Sequence, residues 1–139
     1  MSERPLPARG RPAPVPDRDS AAWWERLARH EFAVQRCGSC GAARFPPRAF
    51  CPECRGEGGD WEPVEPVGTV ESWIVNHQAF GFGGAEPYVV VMVRLAAVPG
   101  CFAYGNWRGD REPRGGEAVL GVYTRVDQEL SLLDWRPAG

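Results

Sequence analysis

The stretch "CGSCGAARFPPRAFCPEC", Cys37 to Cys54, decides the fold, because it places two C-x-x-C knuckles ten residues apart. Each knuckle offers two thiolates, and a borderline-soft ion with a tetrahedral preference, Zn²⁺ above all, takes four. Cys37, Cys40, Cys51 and Cys54 are therefore the expected metal ligands. Gly41 follows the first knuckle where a tight turn needs a small residue, and Pro52 stiffens the second. Four cysteines fill the coordination shell and leave no position for an activated water, so one structural zinc is expected. The same knuckles also suit a rubredoxin-like iron centre, and the spacing alone does not separate the two metals. Metal binding in such peptides is worth on the order of 10–16 kcal/mol, so a ribbon this small should fold only when loaded.

Arg36, Arg44, Arg48 and Arg55 crowd around this segment. Four thiolates and one dication leave a dianion. The arginines either offset that charge or form a patch for phosphate groups.

Outward from the knuckles, the composition narrows the classes. The chain has 139 residues, 43% of them hydrophobic, and a formal charge of −2, which fits one compact domain or two very small ones. All sixteen basic residues are arginine, which excludes Schiff-base lysine chemistry and a P-loop. Mixed charges argue against a polyanion binder that works by bulk electrostatics. No apolar run approaches the roughly 18 residues that span a bilayer, and the N-terminus lacks a signal-peptide core. A soluble, cytoplasmic protein without membrane contact is expected, and cysteines paired in knuckles fit a reducing compartment.

Residues 1–18 carry five prolines between arginines and predict a disordered or extended tail. Residues 19–36 predict a helix, capped by Asp19 or Ser20, and a lead-in strand. Ala21, Trp24, Leu27 and Ala28 share one helical face, with Trp23 beside it. The ribbon is expected over 37–60. Over 61–139 five strands are expected, at 67–78, 87–98, 101–107, 118–126 and 128–135, with glycine-rich corners that suit an OB-fold barrel. The run Tyr88 to Val93 is apolar at successive positions, so something should cover its outer side: the helix carrying Trp23, Trp24 and Leu27, or a partner protein.

The remaining candidates are weaker. Cys101 stands alone in an apolar strand and reads as packing. "FGFGG", with Phe80, Phe82 and Gly83, has no P-loop lysine and reads either as a strand-to-strand loop or as an apolar lip for a ligand or partner. Trp73, Tyr104, Trp107 and Tyr123 suit either a core or a stacking platform for single-stranded nucleic acid. The segment 105–114, "GNWRGDREPR", reads as a solvated loop.

The order of parts, from "WWERL" through "QRCGSCGAARFPPRAFCPEC" to "GTVESW", "EPYVVVMVRL", "GEAVLGVY" and "LLDWRP", resembles a family of zinc-ribbon plus OB-fold proteins associated with acyl-CoA metabolism. The resemblance covers about residues 19–137. It implies a mainly β protein with an N-terminal helix, a rubredoxin-like zinc ribbon and a five-stranded OB-fold. It also implies an accessory subunit, inactive alone, of a thiolase-like acyltransferase or steroid side-chain aldolase. On this reading Arg36, Arg44, Arg48 and Arg55 would face CoA phosphates. Phe80, Phe82 and Gly83 would approach the acyl chain or partner, and Trp23, Trp24 and Leu27 would face the partner. The alternative is a nucleic-acid-binding module built from the same two platforms.

Overall fold

A computed structural model describes residues 15–77 and 87–139. One helix, α1 (Ala21–Ala28), precedes eight strands among the described residues: β1 (Ala33–Arg36), β2 (Ala43–Arg44), β3 (Asp60–Pro63), β4 (Val67–Asn76), β5 (Tyr88–Leu95), β6 (Phe102–Asn106), β7 (Ala118–Arg125) and β8 (Ser131–Pro137). The expected proline-rich tail, as far as residue 14, and the Phe80 to Gly83 loop lie outside the described residues.

The α1 cap differs in its details from the sequence reading. The Ser20 side chain does not bond the first turn. Instead Ser20 donates its amide to Asp17 Oδ1 at 2.8 Å, and Ser20 Oγ accepts the Asp17 amide at 3.1 Å. Asp17 therefore shares the role expected of Asp19 or Ser20. The helix stops at Ala28, two residues before His30 takes a left-handed φ of 58°.

The first sheet has the order β2-β1-β3, all antiparallel, and carries the ribbon. Its third strand, β3, continues the ribbon to Pro63, since Ala33 sits opposite Pro63 and Arg36 opposite Asp60. The second sheet has the order β6-β5-β4-β7-β8. A bridge between Trp107 and Trp135 and the bond from the Arg108 amide to the Trp135 carbonyl, 2.7 Å, bring its two edges together into a barrel. At Gly105 a side chain would overlap the Leu133 carbonyl and the Trp135 ring, so glycine permits this approach. The bulge between Val70 and Ser72 bends β4 as it leaves β7. This is the mainly β arrangement of ribbon and five-stranded OB-fold that the sequence predicts.

Strand β8 begins at Ser131, three residues later than expected. Asp127 Oδ1 accepts the amides of Glu129 and Leu130, and the Val126 amide reaches the Leu130 carbonyl, which closes a turn over those positions.

Ribbon and barrel share one core. Leu27, Phe32 and Val34 from the N-terminal part pack in a single cluster with Val91, Val93, Leu95, Leu133 and Trp135 of the barrel. Leu27, Phe32 and Trp135 are almost wholly covered, and burying each such side chain contributes about 1.5–3 kcal/mol. No described helix is long and apolar enough to cross a membrane.

Candidate metal centre and docking face

The two knuckles are built alike. In the first, the Gly41 amide bonds the Cys37 carbonyl at 3.0 Å and the Cys37 amide bonds the Ala42 carbonyl at 2.8 Å. In the second, the Arg55 amide bonds the Cys51 carbonyl and the Cys51 amide bonds the Gly56 carbonyl, both at 2.8 Å. Each turn ends in a left-handed residue, Gly41 at φ 76° and Arg55 at φ 64°. The sequence shows the first as glycine. It gives no sign of the second, because arginine occupies it.

These turns bring the four cysteine sulphurs within 4.8 Å of one another. Cys37 Sγ lies 3.6 Å from Cys54 Sγ, and Cys40 Sγ lies 3.6 Å from Cys51 Sγ. A tetrahedral ion with Zn–S bonds of about 2.3 Å requires S–S separations of about 3.8 Å, so the donor set fits a four-coordinate metal. The backbone prepares the sulphurs for negative charge. The amides of Cys40 and then Ser39 hold the Cys37 thiol at about 6, and those of Cys54 and Glu53 lower Cys51. At Cys40 the Ala42 amide acts in the same direction, but the sulphurs of Cys54 and Cys51 outweigh it and push the thiol up to about 12. Four sulphurs this close do not all ionise without a cation between them.

The four arginines separate into two kinds. Arg44 is 2% exposed. It donates to Gln35 Oε1, the Arg48 carbonyl and the Gly58 carbonyl at 2.7–3.1 Å. It ties together the chain between the knuckles and is withdrawn from any phosphate, contrary to its expected role. Arg36 is partly committed, with Nε on Glu62 at 2.8 Å and Nη1 on the Gly41 carbonyl at 3.1 Å. Arg48 and Arg55 are exposed.

Leu27 also departs from its expected place. It is fully buried in this chain's own core, so no partner reaches it. Trp23 and Trp24 are half-buried instead. They line an open cavity of about 200 Å³ between α1, the ribbon residue Phe45, and strands β6 and β8, where Tyr104, Asn106, Leu132 and Asp134 face them. The helix packs on β8 and β1, so it is not the cover anticipated for the outer side of β5.

The aromatic platform does not assemble. Trp73, Trp107 and Tyr123 pack against the core, and Tyr104 is 64% exposed. Cys101 is buried at the ribbon–barrel junction, where burial pushes its thiol up and the Phe45 amide bonds its sulphur. The segment 105–114 is an organised structure. Arg108 reaches buried Asp134 at 3.1 Å and Thr124 Oγ1 at 2.7 Å, and Arg111 pairs with Glu117 through two bonds of 2.9 and 2.6 Å. Asn106, Asp134 and Phe45 were not singled out by their sequence context, since the closure of β6 on β8 brings the first two to the cavity and the packing of Phe45 on Trp23 and Phe32 brings the third.

A rubredoxin-like knuckle pair joined through a common core to a five-stranded OB barrel defines the class of protein. Two family profiles cover it: the ChsH2 rubredoxin-like zinc ribbon domain over residues 24–62 and the ChsH2 C-terminal OB-fold domain over residues 61–106. A solved chain titled "Ltp2-ChsH2(DUF35) aldolase" is 33% identical, with a TM-score of 0.76 over 91% of this chain and 100% of that one. The chain belongs to the ChsH2 (DUF35) family. A probable enoyl-CoA hydratase alpha subunit of Thermomonospora curvata is 37% identical over 133 residues, 92% of this chain and 40% of that protein. The 3-oxo-4,17-pregnadiene-20-carboxyl-CoA hydratase alpha subunit of Mycobacterium tuberculosis is 28% identical over 125 residues, 89% of this chain and 39% of that protein. The chain thus spans about two fifths of the length of these curated relatives.

Proposed function

We propose that this chain is an accessory subunit that docks a thiolase-like enzyme, holds one structural zinc and helps that enzyme bind an acyl-CoA. The observation that carries the reading is the full-length match to the chain of the solved "Ltp2-ChsH2(DUF35) aldolase". Two relatives named as alpha subunits of CoA-ester hydratases point to the same substrate class. The zinc is supported by the four-sulphur geometry, which fills a tetrahedral shell and serves the fold rather than a reaction.

Within this proposal the phosphate contacts fall to Arg48 and Arg55, the exposed pair, since Arg guanidinium binds phosphate through paired donors. Phe80, Phe82 and Gly83 keep their sequence-based assignment to the acyl chain or partner. The division proposed is a helix and lead-in strand over 19–36, a ribbon from 37 and a barrel to 139, with the boundary expected at 60/61 moved past Pro63, since β3 still pairs with β1 in the ribbon sheet.

The test is a pull-down of the tagged chain from its own host, with mass spectrometry and metal analysis of one eluate. A thiolase-family enzyme in stoichiometric amount with one zinc per chain supports the reading. Loss of acyl-CoA affinity in the complex on Arg48→Ala with Arg55→Ala supports the phosphate role. Recovery of nucleic acid, with binding that weakens as salt rises, overturns the reading in favour of a nucleic-acid module.

A further inference from the structure

Among the described residues Arg44 is the one buried arginine, and each of its hydrogen-bond partners is neutral. Nε donates to Gln35 Oε1 and the Arg48 carbonyl, and Nη2 donates to the Gly58 carbonyl. Nη1 is buried with no hydrogen-bond partner, and Gly59 closes over it so tightly that a Cβ there would stand 3.3 Å from Nη1 and 2.8 Å from the Arg36 carbonyl oxygen. No described carboxylate forms an ion pair with this guanidinium, whereas Arg36 has Glu62, Arg108 has Asp134 and Arg111 has Glu117. Glu53, Glu57 and Asp60 of the ribbon are exposed. A buried cation surrounded by dipoles alone is costly, because a few carbonyls replace its lost water only in part. The fold therefore needs an anion close to Arg44.

The ribbon supplies one. Gln35 lies opposite Arg44, and the β1–β2 register runs on to Cys37, whose amide bonds the Ala42 carbonyl at 2.8 Å. Side chains two apart on a strand share a face, so Cys37 lies diagonal to Arg44 on the side that Gln35 occupies, about 7–8 Å away. Cys37, Gln35 and Arg44 are all buried. The groups that hold the guanidinium also frame both knuckles: Gln35 comes two residues before Cys37, Arg48 three before Cys51 and Gly58 four after Cys54. Four thiolates around a dication carry two negative charges, and between partly buried groups such an attraction is weakly screened.

We propose that Arg44 is the fixed counter-charge of the four-sulphur metal centre. Loading the metal creates a dianion, the dianion stabilises the buried guanidinium, and the guanidinium in turn favours the loaded site over the empty one. Arg44 is thus a positioning residue for the metal centre, while Arg48 and Arg55 stay at the surface. The inference rests on the metal binding within the proposed function and adds the residue that balances its charge.

The experiment uses the full chain, loaded with zinc and, separately, with iron, which such knuckles also suit. Fe(III) with four thiolates carries one negative charge and Fe(II) carries two, the added electron coming from the electrode, so a nearby cation raises the reduction potential. Arg44→Met removes the charge, and Arg44→Lys keeps it while losing the planar fork. Arg44→Met should lose zinc to a chelator roughly 10–100 times more readily. Its iron form should have a lower potential, by about 59 mV for each tenfold change in the balance of reduced and oxidised forms. Arg44→Lys should keep a potential near that of the wild type even where its lost hydrogen bonds lower the melting temperature. An unchanged potential in Arg44→Met overturns the counter-charge and leaves Arg44 as a hydrogen-bonding clamp. Equal falls in both variants, or failure of both to take up metal, overturn it in the same way. If Arg44→Met alone fails to take up metal, uptake by Arg44→Lys supports the proposal. If the wild-type chain binds neither metal, the metal part of the proposed function falls with it.

Discussion

The Tyr123 hydroxyl accepts a hydrogen bond from the Phe32 amide at 3.0 Å, joining barrel strand β7 to the start of the ribbon sheet across 91 positions of sequence. Phe32 is 1% exposed, so its amide has little access to water, and Tyr123 stacks on His30 with ring centroids 4.7 Å apart. Burial pushes the Tyr123 phenol up from its ordinary value.

Tyr123→Phe removes the acceptor and keeps the ring. A buried amide left without a partner costs about 1–3 kcal/mol. Urea unfolding of the metal-loaded protein should lose that much, with metal content unchanged.

The two left-handed knuckle residues predict opposite responses. Gly41→Ala places a Cβ at φ 76°, and Arg55→Gly removes one at φ 64°. A left-handed conformation costs a non-glycine residue about 1–2 kcal/mol. Gly41→Ala should weaken metal retention against a chelator by about that amount. Arg55→Gly should hold the metal at least as well, while testing the arginine's phosphate role separately.

Asp134 is fully buried, and its carboxylate is shared by Arg108, Thr124 and Asn106 at 2.8–3.3 Å. Asp134→Ala takes a fully buried carboxylate away from the Arg108 guanidinium, which is 15% exposed. Breaking a buried pair from one side costs about 3–5 kcal/mol. Calorimetry should show a large fall in melting temperature, and Arg108→Met with Asp134→Leu should recover part of it.

Glu117 carries a pH dependence. The Arg111 bond holds its carboxyl at about 2, against an ordinary 4.5. A lowered folded-state value means that the contribution is fully present above pH 4.5 and fades as pH falls toward 2. The stability gap between wild type and Glu117→Gln should therefore close across that window. A constant gap from neutral pH to pH 2 would contradict the pairing.

Much of the fold is legible along the chain because its signals are local. The knuckles announce themselves by spacing, and the five barrel strands by apolar runs between glycines, with errors of a few residues at their ends. The departures arise where distant groups compete for one side chain. Arg44 reads as a surface cation beside a metal site, yet it donates to three carbonyl-type acceptors, one on strand β1 and two on separate loop segments. Arg108 reads as part of a solvated loop, yet Asp134 fixes it from the last strand. Leu27 shares a helical stripe with Trp24, yet only Leu27 is wholly buried.

The sequence by itself determined the four-sulphur centre and the pairing of a ribbon with a β barrel, because turn chemistry and alternation act between near neighbours. Only the tertiary structure decided which arginines are free, where the helix lies, and that Tyr104 lines an open cavity with Trp23 and Trp24. Those outcomes depend on how β6 closes against β8 and on which polar groups that closure must satisfy, and no stretch of sequence carries that information alone.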